Sequence, residues 1–178
     1  SDSLQAMRKR EEEGMKVLVT YYSKTGNTEK LARAVYDVLT TDKTILPVAD
    51  VKSLDGYNLV LCGFPVHAHS VPVKMQELIK RLPKGQKVAF FATHGSLRGS
   101  QLAKQAFASA EGLAVNLTVL GQFGCRGRVE DKLIEALMSK PEHREWAEEA
   151  RSAEGHPDAA DIKDVKRFTQ EIVDWAVG

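Results

Sequence analysis

A short polar stretch near the start of the chain has the residue types that hold a phosphate group. It follows the apolar run 17–21 and precedes an amphipathic helical pattern at 31–39. Its residues are Ser23, Lys24, Thr25, Gly26, Asn27 and Thr28. Hydroxyl groups donate hydrogen bonds, and glycine and asparagine tolerate left-handed backbone. Because a helix N-terminus also attracts anions, the stretch predicts a phosphate site.

The spacing of this stretch excludes two common nucleotide-binding loops. A Walker A loop needs a lysine directly after its second glycine, but Gly26 is followed by Asn27. The dinucleotide fingerprint Gly-x-Gly-x-x-Gly is also absent. An ordinary strand–turn–helix, with Thr28 as the helix N-cap, is the alternative interpretation.

Histidines and cysteines offer a second kind of chemistry. His67 and His69 could share a divalent ion, with Cys62 or His94 as a third ligand. No second cluster has ligand spacing, so we expect no metal and treat solvent-facing loop histidines as the alternative.

Hydrolytic chemistry is excluded by spacing. Arg126 beside Cys125 could activate the thiol, although a small buried residue at a strand end is the favoured interpretation. A phosphatase loop needs cysteine and arginine six residues apart, where Cys62 and Cys125 have Ala68 and Asp131. No Gly-x-Ser-x-Gly elbow is present either, and we assign no catalytic residue.

Strands must alternate with helices to position these groups. Apolar runs predict strands at 17–21, 44–48, 59–63, 88–93 and 115–123, the last followed by a loop at 124–128. Helical spacing recurs at 31–39, 73–82, 101–111, 129–140 and 162–175, and the charged stretch 141–153 is also read as helical. Pro47 indicates an edge strand, and Pro72 is expected in a first helical turn. The alternation predicts a parallel sheet covered on both faces.

Four loops are expected to meet at one edge of that sheet. They follow the first, third, fourth and fifth strands, at 23–28, 64–71, 93–100 and 124–128, and are rich in glycine, hydroxyl or histidine residues. Ligands of such sheets bind beyond the carboxyl ends of the strands, where the strand order reverses.

The first loop, Ser-x-Thr-Gly-Asn-Thr after a hydrophobic strand, resembles the FMN phosphate loop of the flavodoxin family. The stretch 63–72, with Gly-x-Pro-Val, resembles the ring loop of flavodoxin-like oxidoreductases. The resemblance implies a short-chain flavodoxin-like α/β fold: three layers, with a doubly wound sheet of five parallel strands in the order 2-1-3-4-5. It also implies FMN as the cofactor.

The same resemblance implies which residues contact FMN. They are Ser23, Lys24, Thr25, Gly26, Asn27, Thr28, Pro65, Val66, His67, Ala68, Thr93, His94, Gly95, Ser96, Gly99, Cys125 and Arg126. Lys24 is expected to be a solvated neighbour of the phosphate. The ring loops have no Trp or Tyr, so His67, His69 and His94 are the nearest planar groups. The flavin potential should therefore differ from that of carriers with Trp or Tyr on the ring.

The implied function is electron transfer to or from a redox partner. The alternative is an FMN-dependent oxidoreductase that reduces a small acceptor, such as a quinone, with NAD(P)H. A flavodoxin-like adaptor that has lost its flavin is a third hypothesis, which the intact phosphate loop disfavours.

Composition sets the remaining expectations. The 178 residues, 43% of them hydrophobic, suit one domain at 15–178. A net charge of +1 gives no electrostatic case for nucleic acid, and no apolar run approaches a membrane span. Two cysteines and a charged N-terminus favour a cytoplasmic location. Residues 1–14 are expected to be a disordered or tag extension, with a helical overhang as the alternative.

Overall fold

Five parallel strands form one sheet in the part of the chain that the computed structural model describes, residues 2–66, 70–95, 101–127, 135–136, 138–145, 148 and 155–178. They are β1 (Lys16–Tyr21), β2 (Asp42–Pro47), β3 (Leu59–Pro65), β4 (Lys87–His94) and β5 (Thr118–Arg126). The helices are α1 (Asp2–Gly14), α2 (Asn27–Val38), α3 (Val73–Arg81), α4 (Gln101–Leu113) and a C-terminal helix, α5 (Ala159–Val177). The strand order β2-β1-β3-β4-β5 confirms the predicted topology.

Helices cover both faces of the sheet and create two separate cores. One core joins α2 and α5 to the sheet, and Leu31 and Ile172 are fully buried there. The other core lies under α3 and α4, where Met75 and Phe90 are fully buried. The central strands are apolar along most of their length, as expected where both faces of a sheet are covered. The predicted three-layer arrangement is therefore confirmed.

Two prolines mark element boundaries. Pro47 is the last residue of β2, which is an edge strand as expected. Pro72 is the N-cap of α3. The sequence predicts it in the first helical turn, which begins one position later at Val73. The Pro72 carbonyl accepts the Gln76 N–H at 3.0 Å and so begins the helical ladder.

The fifth strand differs from its predicted bounds. The sequence predicts 115–123, but residues 114–116 form a turn and β5 begins at Thr118. The strand continues through Cys125 and Arg126, which were predicted to lie in a loop. The reason is tertiary: β4 reaches His94, and its last two residues pair with Cys125 and Arg126.

Residues 2–14 form the helix α1, which corresponds to the alternative that the sequence left open. An Arg8 guanidinium N–H donates to the Asp174 carbonyl at 3.5 Å, and the Thr40 hydroxyl donates to Glu12 at 2.8 Å. These two contacts tie the C-terminal half of α1 to the rest of the fold, although its residues 3–11 are exposed.

Most of the predicted helix 129–140 and of the charged stretch 141–153 lies outside the described residues. Within that region, Pro141–His143 forms a 3-10 turn. Among the helices that are described, none is both long enough and apolar enough to cross a bilayer.

Burial of Cys62 in β3 predicts a loss of stability in alkali. Burial raises the pKa of this thiol to about 12. Above pH ~9 the unfolded thiol loses its proton while the folded thiol keeps it, so this group's contribution to stability falls as pH rises toward the folded value. We expect the urea midpoint of Cys62→Ala to fall less between pH 8 and 10.5 than that of the unaltered protein. Equal falls in both proteins would contradict this assignment.

Candidate functional site

The loop after β1 is held by the hydroxyl group of Ser23. Its Oγ accepts the backbone N–H groups of Gly26 at 3.1 Å and Glu29 at 3.3 Å. Gly26 is the N-cap of α2 and has left-handed backbone, with φ of 92°. A Cβ atom at Gly26 would meet no atom within 4 Å, so the N-cap is open on that side. The loop therefore presents the positive end of α2 without a covering side chain.

Thr28 joins α2 to the end of β4. It is the second residue of α2 rather than its N-cap, and its hydroxyl lies 2.9 Å from that of Thr93. Both side chains are buried. The two threonines are 65 residues apart in sequence, so their pairing places the first loop against the end of the fourth strand.

The Thr28–Thr93 pair should be energetically coupled. Thr28→Val or Thr93→Val alone should lower the free energy of unfolding by about 1–2 kcal/mol, because the remaining hydroxyl stays buried without its partner. The double variant should be less destabilised than the sum of the single variants. Urea unfolding of the four proteins measures the coupling, and additive losses would show that the hydroxyl groups do not interact.

The end of β5 closes the site from the other side. Its backbone continues to Gly127, whose N–H donates to the His94 carbonyl at 2.9 Å. A Cβ atom at Gly127 would lie 3.0 Å from the Cβ of Thr93 and 3.2 Å from the Nδ2 of Asn27. Only a residue without a side chain allows this close approach. Sequence reasoning missed Gly127, because nothing local signals a contact with a residue 100 positions earlier.

The side chain of Glu29 is held in place at the first turn of α2. The Tyr21 hydroxyl donates to its carboxylate at 3.0 Å, and Arg33 pairs with the same oxygen at 3.1 Å. Burial and this carboxylate raise the pKa of Tyr21. The pairing partly offsets a negative charge that would otherwise repel an anion at the loop. The four-residue spacing of Glu29 and Arg33 was a signal that the sequence reasoning did not use.

His94 and Cys125 lie below the surface of the site. His94 is 4% exposed, and its Nε2 would lie 3.1 Å from a Cβ atom at Gly124, next to Phe107. With so little free surface, its ring has no open face for stacking on a ligand. Cys125 is fully buried in the core beside α2 and α5, consistent with the small buried residue that the sequence favoured.

The second loop begins close to the first. Val66 donates its backbone N–H to the Thr93 carbonyl at 2.9 Å, so the end of β3 is fixed against β4. Pro65, Val66 and Gly95 are all partly exposed at this edge. His67, Ala68, Ser96 and Gly99, together with His69, lie outside the described residues. Lys24 and Thr25 are exposed in the first loop, and Arg126 is partly exposed at the end of β5.

Potential metal ligands meet at a different place from the one considered in the sequence. Among the described residues, His156, Asp158 and Asp161 form a group, with His156 Nδ1 2.6 Å from Asp161. The two aspartates form a capping box at the N-terminus of α5. The Asp161 N–H, as the main cause, lowers the pKa of Asp158. The capping box explains why the carboxylates of Asp158 and Asp161 lie close together, without a metal ion.

The structural neighbours of the chain share this architecture. Oxidised flavodoxin 2 from Bacillus cereus is 16% identical, with a TM-score of 0.62, and the match covers 90% of this chain and 99% of that one. A flavoprotein from Lactobacillus acidophilus, solved in complex with FMN, is 20% identical with a TM-score of 0.53, covering 71% of this chain and all of that one. At sequence identities this low, the structural similarity shows that these proteins share a fold with this chain.

The sequence itself gives the family. A curated relative, the flavodoxin-like domain-containing protein BilS of Clostridioides difficile, is 25% identical over 171 residues, which cover 89% of this chain and 97% of the relative. The profile of the flavodoxin domain family matches residues 18–170, and this match includes the first loop and all the strands from Leu18 onward. The predicted family is confirmed: the chain belongs to the flavodoxin domain family.

Proposed function

We propose that this chain binds FMN, with the phosphate group at loop 23–28, and transfers electrons to or from a redox partner. The observation that carries the proposal is the open N-terminus of α2 beside the hydroxyl groups of Ser23 and Thr25. It lies between β1 and β3, where the strand order reverses. Membership of the flavodoxin domain family and the FMN complex of the Lactobacillus protein support the choice of cofactor.

The donor groups of the first loop fit a phosphate dianion. Ser23 Oγ accepts two N–H groups, which leaves its own O–H to donate outward. Thr25 adds a second exposed hydroxyl, and Gly26 leaves the helix end uncovered. The helix dipole adds about 0.3–1 kcal/mol of attraction for an anion at this place. Lys24 is exposed and supplies a nearby positive charge.

The carboxyl ends of β3 and β4 provide the edge on which the ring of the cofactor would be held. Pro65 is the last residue of β3 and is followed by Val66, and His94 is the last residue of β4 and is followed by Gly95. The Val66 N–H to Thr93 carbonyl bond fixes these two loops relative to each other. When bound, FMN supplies a ring that accepts and donates electrons. The protein binds and orients that ring and controls its access to water.

The visible spectrum of the purified protein tests cofactor binding. After FMN is added and free flavin is removed by gel filtration, bands at about 375 and 450 nm should stay with the protein. Dithionite should bleach them and air should restore them. Protein that retains no flavin after saturation with FMN would overturn the proposal and favour an adaptor without cofactor.

A second measurement distinguishes a carrier from an enzyme. Reduction that requires a separate reductase protein would support electron transfer between proteins. Steady oxidation of NAD(P)H in the presence of a quinone would support the enzyme instead. The absence of Trp and Tyr from the ring-loop sequences is the observation that favours the enzyme, because it leaves the ring more open. A cytoplasmic location stays a prediction, with which two buried cysteines that form no disulfide agree.

A further inference from the structure

Basic side chains lie at the carboxyl end of the sheet, after β1, at the end of β5 and near the starts of α3 and α4. We call Lys24, Lys74, Lys104 and Arg126 the basic rim. Lys24 follows β1, Lys74 and Lys104 lie near the starts of α3 and α4, and Arg126 ends β5. The three lysines are exposed and Arg126 is partly exposed. In the first halves of α3 and α4, the acidic residue that accompanies them is Glu77.

Among the residues that the structure describes, further acidic side chains near this end of the sheet lie on α2, at the start of α5 and after β2. Glu29 pairs with Arg33 on α2, and Asp161 contacts His156 at the start of α5. Both helices cover the opposite face of the sheet from α3 and α4. Asp50 follows β2, at the far edge of the sheet. In the described first halves of α3 and α4, exposed positive charge therefore exceeds negative charge.

Helix stability does not account for the two helical lysines. A cation near a helix N-terminus opposes the dipole, and acidic residues are preferred there. The first turns of α3 and α4 contain no acidic residue, whereas Lys74 is the second residue of α3 and Lys104 is the fourth of α4. The helix ends and the lysines add positive potential at the same edge, which a function in attracting anions explains.

The rim is also the right size for contact with a protein, and it has an apolar component. Strands β1 and β5 are three positions apart in the sheet, or about 14 Å, which is well within a standard interface patch. Val73, the first residue of α3, is 66% exposed beside Lys74. An exposed apolar side chain among polar charges is typical of a protein interface.

We propose that the basic rim docks an acidic surface on the protein that exchanges electrons with this chain. The inference rests on the proposed function, because the rim borders the loops that would enclose the ring. The charge of the rim specifies the class of partner. The surface of that partner at the point of contact should be rich in carboxylates and should place an apolar group opposite Val73. Electrostatic attraction of this kind raises the rate of encounter and falls with ionic strength.

Charged redox probes measure the sign of the local potential. The FMN-loaded, reduced protein is mixed with ferricyanide, an anion, or with tris(phenanthroline)cobalt(III), a cation, and reoxidation is followed at increasing ionic strength. The rate with ferricyanide should fall as salt increases, and the rate with the cobalt complex should rise. The opposite signs, or no salt dependence with either probe, would overturn the proposal.

Matched charge reversals locate the effect. In K74E/K104E the low-salt rate with ferricyanide should fall by about 10-fold. The control K16E/K84E changes the net charge equally at the other end of the sheet, where both lysines are exposed, and should change the rate by less than about 2-fold. If the rate with ferricyanide falls equally in both variants, the effect comes from total charge, and the proposal that the basic rim docks the partner is overturned.

A binding experiment that involves no electron transfer tests the basic rim independently of the proposed function. The protein, with or without flavin, is titrated with oligoglutamate at low salt and followed by ¹⁵N NMR. Shifts should concentrate on the amides of Lys74 and Lys104 and not on those of Lys16 and Lys84. If the protein does not retain FMN but still shows this pattern of shifts, the FMN proposal is refuted and the proposal for the rim is not. Uniform shifts, or stronger binding of a DNA duplex at the same residues, would overturn docking of an acidic protein.

Discussion

Replacing Ser23 and Thr25 by alanine should weaken FMN binding by about 100-fold or more, while riboflavin binding changes by only a few-fold. A hydrogen bond to a charged group contributes about 1.5–3 kcal/mol, and two are removed. Ser23 also holds the N–H groups of Gly26 and Glu29, so its loss loosens the loop itself. Riboflavin has no phosphate and therefore does not depend on these donors. Quenching of flavin fluorescence gives both dissociation constants.

The control for this measurement is S53A/T118A. Ser53 Oγ accepts the Asp55 N–H at 3.3 Å, and the Thr118 hydroxyl donates to the Gly85 carbonyl at 3.3 Å. These residues make local bonds of the same kind outside the first loop, so the affinity for FMN should be unchanged. If S23A/T25A loses FMN and riboflavin equally, loop 23–28 does not bind the phosphate. Thr28 is left unaltered because its buried bond to Thr93 makes it structural.

Gly63→Ala should lower the free energy of unfolding by about 3 kcal/mol, the upper part of the range for overpacked cores. A Cβ atom at Gly63 would lie 2.1 Å from Cε2 and 2.3 Å from Cζ of Phe91. Phe91 is fully buried on β4, so its ring can move only by displacing other core side chains. Adding Phe91→Leu to the variant should recover part of the loss, because the smaller side chain vacates that space. Urea midpoints of the three proteins measure both effects.

Gly112→Ala provides the contrasting case. Gly112 lies in α4, and a Cβ atom there would meet nothing within 4 Å. Alanine should raise stability by up to about 1 kcal/mol through helix propensity. If Gly63→Ala is as well tolerated as Gly112→Ala, the close contact between β3 and β4 is not as tight as the structure indicates.

The sequence predicted the five strands and their order in the sheet. The run 59–63 and the run 88–93 are continuously apolar, and each emerged as a strand covered on both faces. The hydroxyl-rich loop and its resemblance to flavodoxins led to the correct family. These inferences succeeded because hydrophobic period, turn residues and a compact motif are local properties of the chain.

Tertiary structure decided how the loops meet. The contact between Thr28 and Thr93 and the approach of Gly127 to Asn27 join residues far apart in sequence. The extension of β5 through Arg126 depends on how far β4 runs, and His94 is buried where β4 ends. Such contacts are set by strand register and by packing between layers. Because neither has a local signature, the sequence could name the loops of this site but could not determine which of their side chains face a ligand.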